Sequence, residues 1–300
     1  SLNLNDDVFF DKSNNIVVSI DTYNEGKHFL NFKSPALVIK KVIRSSISDL
    51  ICKGVKPKYY FLSGSGNRKA FTKTNLSKIS KSLKEEQKKY NIILGGGDTV
   101  FSNKLSFTVT SIGFAKKIVY RNKSNILDDI YVTGNLGDSF LGLLVLKNKI
   151  KINNKLSNYF INQYYKPEIK YSLVYYLNKF ATSSIDLSDG LIIDLDKLTN
   201  NQNNSYQLFF DKIPVSKNLN SVINSKNLLK KNLISKGDDY QVLFTANHKH
   251  RSFIKKISSL KKLKITRIGK ILNSRHKSSI IDRNGHKIKI NSKGYFHTFD

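Results

Sequence analysis

The sequence predicts a two-domain protein of the α/β or α+β class, and three observations carry that expectation. At 300 residues the chain exceeds the usual length of one domain. Short apolar runs of strand character alternate with helix-period patterns, with some strand-rich stretches. The pattern turns polar over residues 120–129, which puts a junction there and divides the chain into 1–125 and 126–300.

In the first part, residues 16–21 read as a buried strand that ends in a carboxylate. Residues 35–53 read as a helix. Pro35 suits its first turn, apolar residues recur at Ile39, Val42, Ile43, Ile47 and Leu50, and Gly54 stops it. Residues 71–90 read as an exposed amphipathic helix with Leu76, Ile79 and Leu83 turned inward. A short strand at 91–94 runs into a Gly95-Gly96-Gly97-Asp98 turn, and 107–114 form another strand.

In the second part, a strand at 130–133 leads through Gly134 and Gly137 into a helix. Residues 185–188 form a strand, Asp189-Gly190 a turn and 191–198 a helix. The Asn-rich stretch 200–205 is a loop, 241–245 a strand, 252–263 a helix and 265–272 a strand. Lys-rich segments 147–155 and 226–231 read as solvated surface. There is no repeat at solenoid periods, and periodicity leaves the topology open.

Composition narrows the function classes. The net charge of +29 would suit a nucleic-acid binder, yet only seven of the 51 basic residues are arginine and the lysines are spread along the chain. Compositional bias in a Lys-, Asn- and Ile-rich chain explains this better, so nucleic acid is disfavoured as a partner, while the charge still draws anions. The single cysteine, Cys52, excludes an internal disulfide and a thiolate metal site, and reads as a packed core thiol. A cytoplasmic protein fits. The longest apolar run, 140–146, is far too short to cross a bilayer, and no basic start before an apolar core reads as a signal peptide in these residues. The chain starts at Ser1 and has no Met, so its N-terminus reads as incomplete. No Gly-x-Ser-x-Gly elbow, His-Glu-x-x-His pair or P-loop occurs.

The few acidic residues hold the signal. Only 22 Asp and Glu are present, yet many lie in apolar or glycine-rich settings rather than beside lysines. Asp21 ends a strand, Asp49 lies on an apolar helix, and Asp98 follows three glycines. Asp186 and Asp189 flank a strand-to-helix turn with Asp194 one turn on, and Asp6-Asp7 and Asp238-Asp239 are pairs. Each alone could be a cap. Together they favour a shared hard cation such as Mg²⁺, because buried carboxylates are costly without a counter-charge. Carboxylates, glycine-rich turns and no covalent nucleophile fit phosphoryl transfer.

The blocks Asn5-Asp6-Asp7, Ser19-Ile20-Asp21-Thr22 with Glu25-Gly26-Lys27-His28-Phe29, Ser48-Asp49-Leu50, and Gly96-Gly97-Asp98-Thr99 occur in that order. They are followed by Val132-Thr133-Gly134 with Leu136-Gly137-Asp138-Ser139, Asp186-Leu187-Ser188-Asp189-Gly190-Leu191, Gly237-Asp238-Asp239-Tyr240, and Lys293-Gly294-Tyr295. Over nearly the whole chain this resembles the thiamine-monophosphate kinase family.

The resemblance implies a two-domain aminoimidazole-ribonucleotide synthetase-like fold. Its N-terminal domain would bind ATP and metal and pair into a homodimer, with a C-terminal α/β domain and a site in the cleft between them. It implies that ATP and thiamine monophosphate give thiamine diphosphate and ADP, with several Mg²⁺ ions. Carried over by position, Asp7, Ser19, Ile20 (through its backbone), Asp21, Asp49, Asp98, Asp186 and Asp189 would hold metal. Asp49, Asp98 and Asp189 would be catalytic. Gly97, Asp98, Arg121 and Ser188 would contact ATP, and His28, Asp238 and Tyr295 the thiamine phosphate. The chain departs from the family pattern at Asn5, Ile20 and Asp238, where Gly, Thr and Glu are usual. The alternatives are a sister ATP-dependent synthetase of the superfamily and a degenerate basic nucleic-acid binder.

Overall fold

The computed structural model describes residues 5–200, 202–290, 294 and 295. They form two compact units. One holds Asp7–Ile51 and Val55–Ile118; the other holds Asn5 and Asp6, Cys52–Gly54 and the described residues from Val119 onward.

In the first unit the chain runs β1 (Phe9–Asp11), β2 (Ile16–Asn24), α1 (Pro35–Cys52), β3 (Pro57–Gly66), α2 (Lys73–Tyr90), β4 (Ile93–Phe101) and β5 (Ser106–Phe114). Five strands pair in the order β1-β2-β5-β3-β4. Only β3 and β4 are parallel. They are joined by α2, as a parallel pair needs a long crossover. The expected inward residues of α1, from Ile39 to Leu50, are all fully buried, and so are Val38 and Ile51. A helix apolar on so many sides is a core element. Ser46 on α1 hydrogen-bonds Ser111 on β5 at 2.9 Å, fixing the covered face of the sheet.

The helix expected at 71–90 starts at Lys73, with the Thr72 hydroxyl accepting from Asn75 N–H, and ends at Asn91 in a left-handed conformation. Its inward face needs correction. Ile79 and Leu83 are buried but Leu76 is 46% exposed, and Ser82, Glu86 and Tyr90 fill the face instead. Glu86 is buried because Arg44 of α1 grips both its oxygens at 2.8 and 3.0 Å.

The second unit contains β6 (Asp129–Thr133), α3 (Asp138–Leu146), α4 (Asn154–Tyr165), β7 (Ala181–Asp186), α5 (Leu191–Leu198) and β8 (Asn204–Phe209). Then come α6 (Lys217–Lys226), α7 (Lys230–Ile234), β9 (Val242–Ala246), α8 (Arg251–Leu260), β10 (Ile265–Asn273) and β11 (Ser279–Ile281). Six strands pair in the order β11-β8-β10-β6-β9-β7, antiparallel except for β8 and β11. Alternate residues serve two cores. Ile130, Val132 and Leu243 pack with Leu191 and Leu195 of α5. Tyr131, Val242 and Phe244 pack with Cys52, Leu173, Leu177 and Ile254 of α8. Both faces are covered, so β6 and β9 are buried throughout.

Candidate active site

Strand β2 alternates. Val17, Ser19 and Tyr23 are buried, whereas Ile20, Thr22 and Asn24 are exposed on the other side. This period of two puts Ser19 and Asp21 on the α1 side of the sheet. Ser19 Oγ donates to Asp49 Oδ2 at 2.7 Å. Asp49 and Ser46 lie close enough to Asp21 to influence its carboxyl, and Tyr23 Oη donates to Asp21 Oδ2 at 3.2 Å. Burial pushes the Asp21 carboxyl up to about 6; the hydrogen bonds oppose this, and the charge of Asp7 adds to it. Asp7, Ser19, Asp21 and Asp49 therefore converge. Ile20 sends its side chain to the opposite face, 67% exposed, so only its backbone lies beside the group.

His28 enters from the turn after β2. Its Nδ1 accepts from Asn24 N–H at 3.0 Å, which assigns the proton to Nε2. Its ring meets Tyr23 edge-on at 5.9 Å, so His28, Tyr23 and Asp21 form a continuous set.

Asp98 lies elsewhere in the unit. Gly95–97 do not make a turn: β4 continues through them to Phe101. Pairing with β3 explains the glycine at 97, since a Cβ there would come within 1.9 Å of the Leu62 carbonyl oxygen. Asp98 pairs with Ser63, Ser63 with Thr108, and Thr108 with Thr22. Thr22 and Thr108 share a hydroxyl hydrogen bond at 2.9 Å. Asp98 thus stands on the open face of the sheet, opposite Ser19 and Asp21, and its Oδ1 accepts from Thr99 N–H.

In the second unit a cluster forms at the end of β7. Asp186 is its last residue and is buried. The next turn is held by Asp194, whose Oδ2 accepts the N–H groups of Asp189 and Gly190, each at 2.9 Å. Lys197 bridges Asp189 Oδ2 at 2.5 Å and Asp194 Oδ1 at 3.0 Å. Burial pushes Asp194 up to about 6, against the attraction of Lys197. The segment 235–240 lies against this turn. Asp238 N–H donates to Ser188 O at 2.9 Å and Tyr240 N–H to Leu187 O at 2.8 Å. A Cβ on Gly237 would sit 2.2 Å from Ser188 O, and Gly237 has φ +72°, so both contact and conformation demand glycine. Tyr295 N–H donates to Asp189 O at 3.0 Å. Asp186, Ser188, Asp189, Asp238 and Tyr295 are thereby brought together.

Arg121 occupies a loop of the same unit. Its backbone N–H donates to Asp6 Oδ2 at 3.1 Å and its Nε to Asn5 O at 3.2 Å. The flanking residues tie it to β7 through Ser184 N–H on Tyr120 O and to the end of α5 through Asn122 N–H on Leu198 O.

Other buried carboxylates serve the fold. Both oxygens of Asp239 accept from Gly137 N–H at the start of α3, and burial keeps this acid far above its usual range. Asp129 is buried, which pushes it up, but Arg251 and Arg267 hold it below its ordinary value. The pairing Asp238-Asp239 thus divides into one cluster residue and one cap. Sequence reasoning gave Tyr23 and Lys197 no role. Their signals were positional: Tyr23 follows Asp21 by two on a strand, and Lys197 follows Asp194 by three on a helix.

Among the described residues, no group of three or more His, Cys, Asp or Glu side chains is arranged to hold a metal by itself, and no helix is long and apolar enough to cross a membrane.

Residues 5–115 match the family described as AIR synthase related protein, N-terminal domain. A thiamine-monophosphate kinase of Buchnera aphidicola subsp. Acyrthosiphon pisum (strain APS) is 37% identical over 292 residues, covering 95% of this chain and 88% of that protein. The solved structure "AaThiL complexed with AMPPCP and TMP" superposes with a TM-score of 0.85 at 25% identity, covering 99% of this chain and 93% of that chain. The crystal structure of thiamine monophosphate kinase from Aquifex aeolicus gives a TM-score of 0.81 at 25% identity, covering 96% of this chain and 94% of that chain.

Proposed function

Because the chain belongs to the thiamine-monophosphate kinase family, with its AIR synthase-like fold, we propose that it transfers the terminal phosphate of ATP to thiamine monophosphate, giving thiamine diphosphate and ADP. One observation carries the reading: Ser19 Oγ bonds Asp49 at 2.7 Å beside Asp21, so two half-buried carboxylates adjoin, with Asp7 in electrostatic reach.

These donors fit Mg²⁺. They are hard oxygen ligands too few to enclose an ion, and Mg²⁺ characteristically takes one or two carboxylates plus waters and substrate phosphates. Asp7, Ser19, the Ile20 backbone, Asp21 and Asp49 would hold one ion in the first unit and Asp186 and Asp189 another in the second, while Asp98 would ligate separately, on the open face of the first sheet. When bound, Mg²⁺ offsets the negative charge of two phosphate-bearing reactants. Asp49, Asp98 and Asp189 are the catalytic carboxylates of this reading.

The chain's own groups supply orientation. Arg121 would neutralise charge on ATP, with Ser188 and the close-packed backbone at Gly97 as further nucleotide contacts of the reading. His28, Asp238 and Tyr295 position thiamine monophosphate. The acceptor is itself a phosphate, so it attacks in line without a strong base. Residues 1–125 would then form the ATP- and metal-binding part and 126–300 the C-terminal part, in a cytoplasmic enzyme.

A homodimer is part of the reading. The open face of the first sheet exposes Ile20, Phe61 and Phe114, 67%, 42% and 46% accessible, and a contiguous apolar face of this kind favours association. Asp98 shares that face. Purified protein given ATP, Mg²⁺ and thiamine monophosphate should form thiamine diphosphate, dependent on all three. Absence of product under those conditions would refute the assignment.

A further inference from the structure

Lys53 is fully buried, although lysine is among the residues least often found inside. Its Nζ lies 2.7 Å from Asp6 Oδ1 and donates to the Ser184 carbonyl, also at 2.7 Å. Each of these partners leads to Arg121. The other oxygen of Asp6 accepts the Arg121 backbone N–H at 3.1 Å, and Asn5 O accepts Arg121 Nε at 3.2 Å. On the other side, Ser184 N–H donates to Tyr120 O at 3.2 Å. A third tie comes from Val119 N–H, which donates to the Lys53 carbonyl at 3.0 Å. The segment 119–121 is therefore bracketed by groups that a single ammonium holds.

Resting on the nucleotide-binding reading of Arg121 above, we propose that Lys53 is a positioning residue for ATP, acting through its buried ion pair with Asp6 to fix the Arg121 segment. The pair also distinguishes the adjacent acids: Asp6 is a counter-ion of the fold, and Asp7 remains the member assigned to metal. Removing one partner takes from the other the charge that faces it at 2.7 Å, and the segment has to move to hydrate it. Removing both leaves no such charge, and an Asn at position 6 still offers an oxygen to the Arg121 N–H.

The test compares Lys53→Met, Asp6→Asn and the double variant with wild type. Three readouts are taken: KM for ATP against kcat, the Kd of the analogue AMPPCP at fixed Mg²⁺, and the thermal midpoint. Either single variant should raise KM for ATP and the AMPPCP Kd about tenfold or more, the size of one lost charge-assisted hydrogen bond, with kcat at saturating ATP within about twofold. The double variant should return most of that loss. If the singles lower only the thermal midpoint, or the double variant binds no better than they do, the inference falls. Should Lys53→Met fail to fold, Asp6→Asn against the double variant decides by the same criterion. Wild-type protein that does not bind AMPPCP removes the nucleotide reading and this inference together. Wild type that binds, with all variants equal to it, removes the inference alone.

Discussion

Asp21 in the first unit and Asp129 in the second are both carboxylates withdrawn from water, yet their surroundings differ in one respect. Asp129 is met by two guanidinium groups, Arg251 at 2.6 and 2.8 Å and Arg267 at 3.2 Å, and stays ionised below its ordinary value. Asp21 is met by hydroxyls and by other acids, and burial moves it up to about 6. Burial is common to these two acids; the guanidinium groups beside one and the acids beside the other set the direction of the shift. A chain with 51 basic residues had every opportunity to place one beside Asp21. Leaving acid against acid there is what a site for an external cation requires.

The sharpest way to break this comparison is catalytic. Asp49→Asn and Asp189→Asn should each lower turnover by at least about a thousandfold while circular dichroism stays unchanged, because each removes charge while keeping shape. Full activity in either variant would end the metal assignment.

Next comes the pH dependence of stability. An acid whose folded pKa lies above its unfolded value favours the fold in its protonated form. For Asp21 that contribution is complete below about pH 4 and is lost as pH rises through about 6. Relative to wild type, Asp21→Asn should gain up to about 3 kcal/mol above pH 6, and the gain should vanish near pH 4. Urea unfolding at both pH values measures it. Mg²⁺ should raise the thermal midpoint of wild type above pH 6 more than that of the variant.

Asp129→Asn should behave in the opposite way. It leaves two arginines without their partner and costs about 2 kcal/mol, toward the low side because both guanidinium groups reach solvent. Turnover per folded molecule should not change. The smallest effect belongs to Asp11→Asn, a half-buried acid that closes a turn with Ser13 and Asn14. Its thermal midpoint and activity should match wild type, and a shift in either would show that charge count rather than neighbours controls the acids.

Much of this was legible in the residues, and the failures have physical causes. Helix α1 declared itself through Pro35, five apolar residues at helical spacing and Gly54, because a helix buried along most of its length leaves a strong pattern. Strand β3 has no counterpart in the sequence reading, because Ser63-Gly64-Ser65-Gly66 lack the branched and aromatic residues that mark a strand. Its glycines are where Phe71, Phe107 and Leu105 pack closely against the backbone. For the same reason Gly95–97 read as a turn and are strand. Leu76 sits at helical spacing yet faces water, since Ser82 reaches the Ala36 carbonyl and Arg44 draws Glu86 inward. The convergence of Ser19, Asp21 and Asp49 could be anticipated from motif order. That Asp98 stands on the other face of the sheet could not, because it depends on which strands pair.

Cys52 gives the molecule a built-in clock. It is the sole thiol of the chain, fully enclosed, and bonded in sequence to Lys53. A thiol reagent can reach it only when that region opens, so the rate of labelling reports the lifetime of the closed form without any added probe. Slower labelling in the presence of nucleotide would read out, in seconds and minutes, how firmly the ligand keeps that neighbourhood shut.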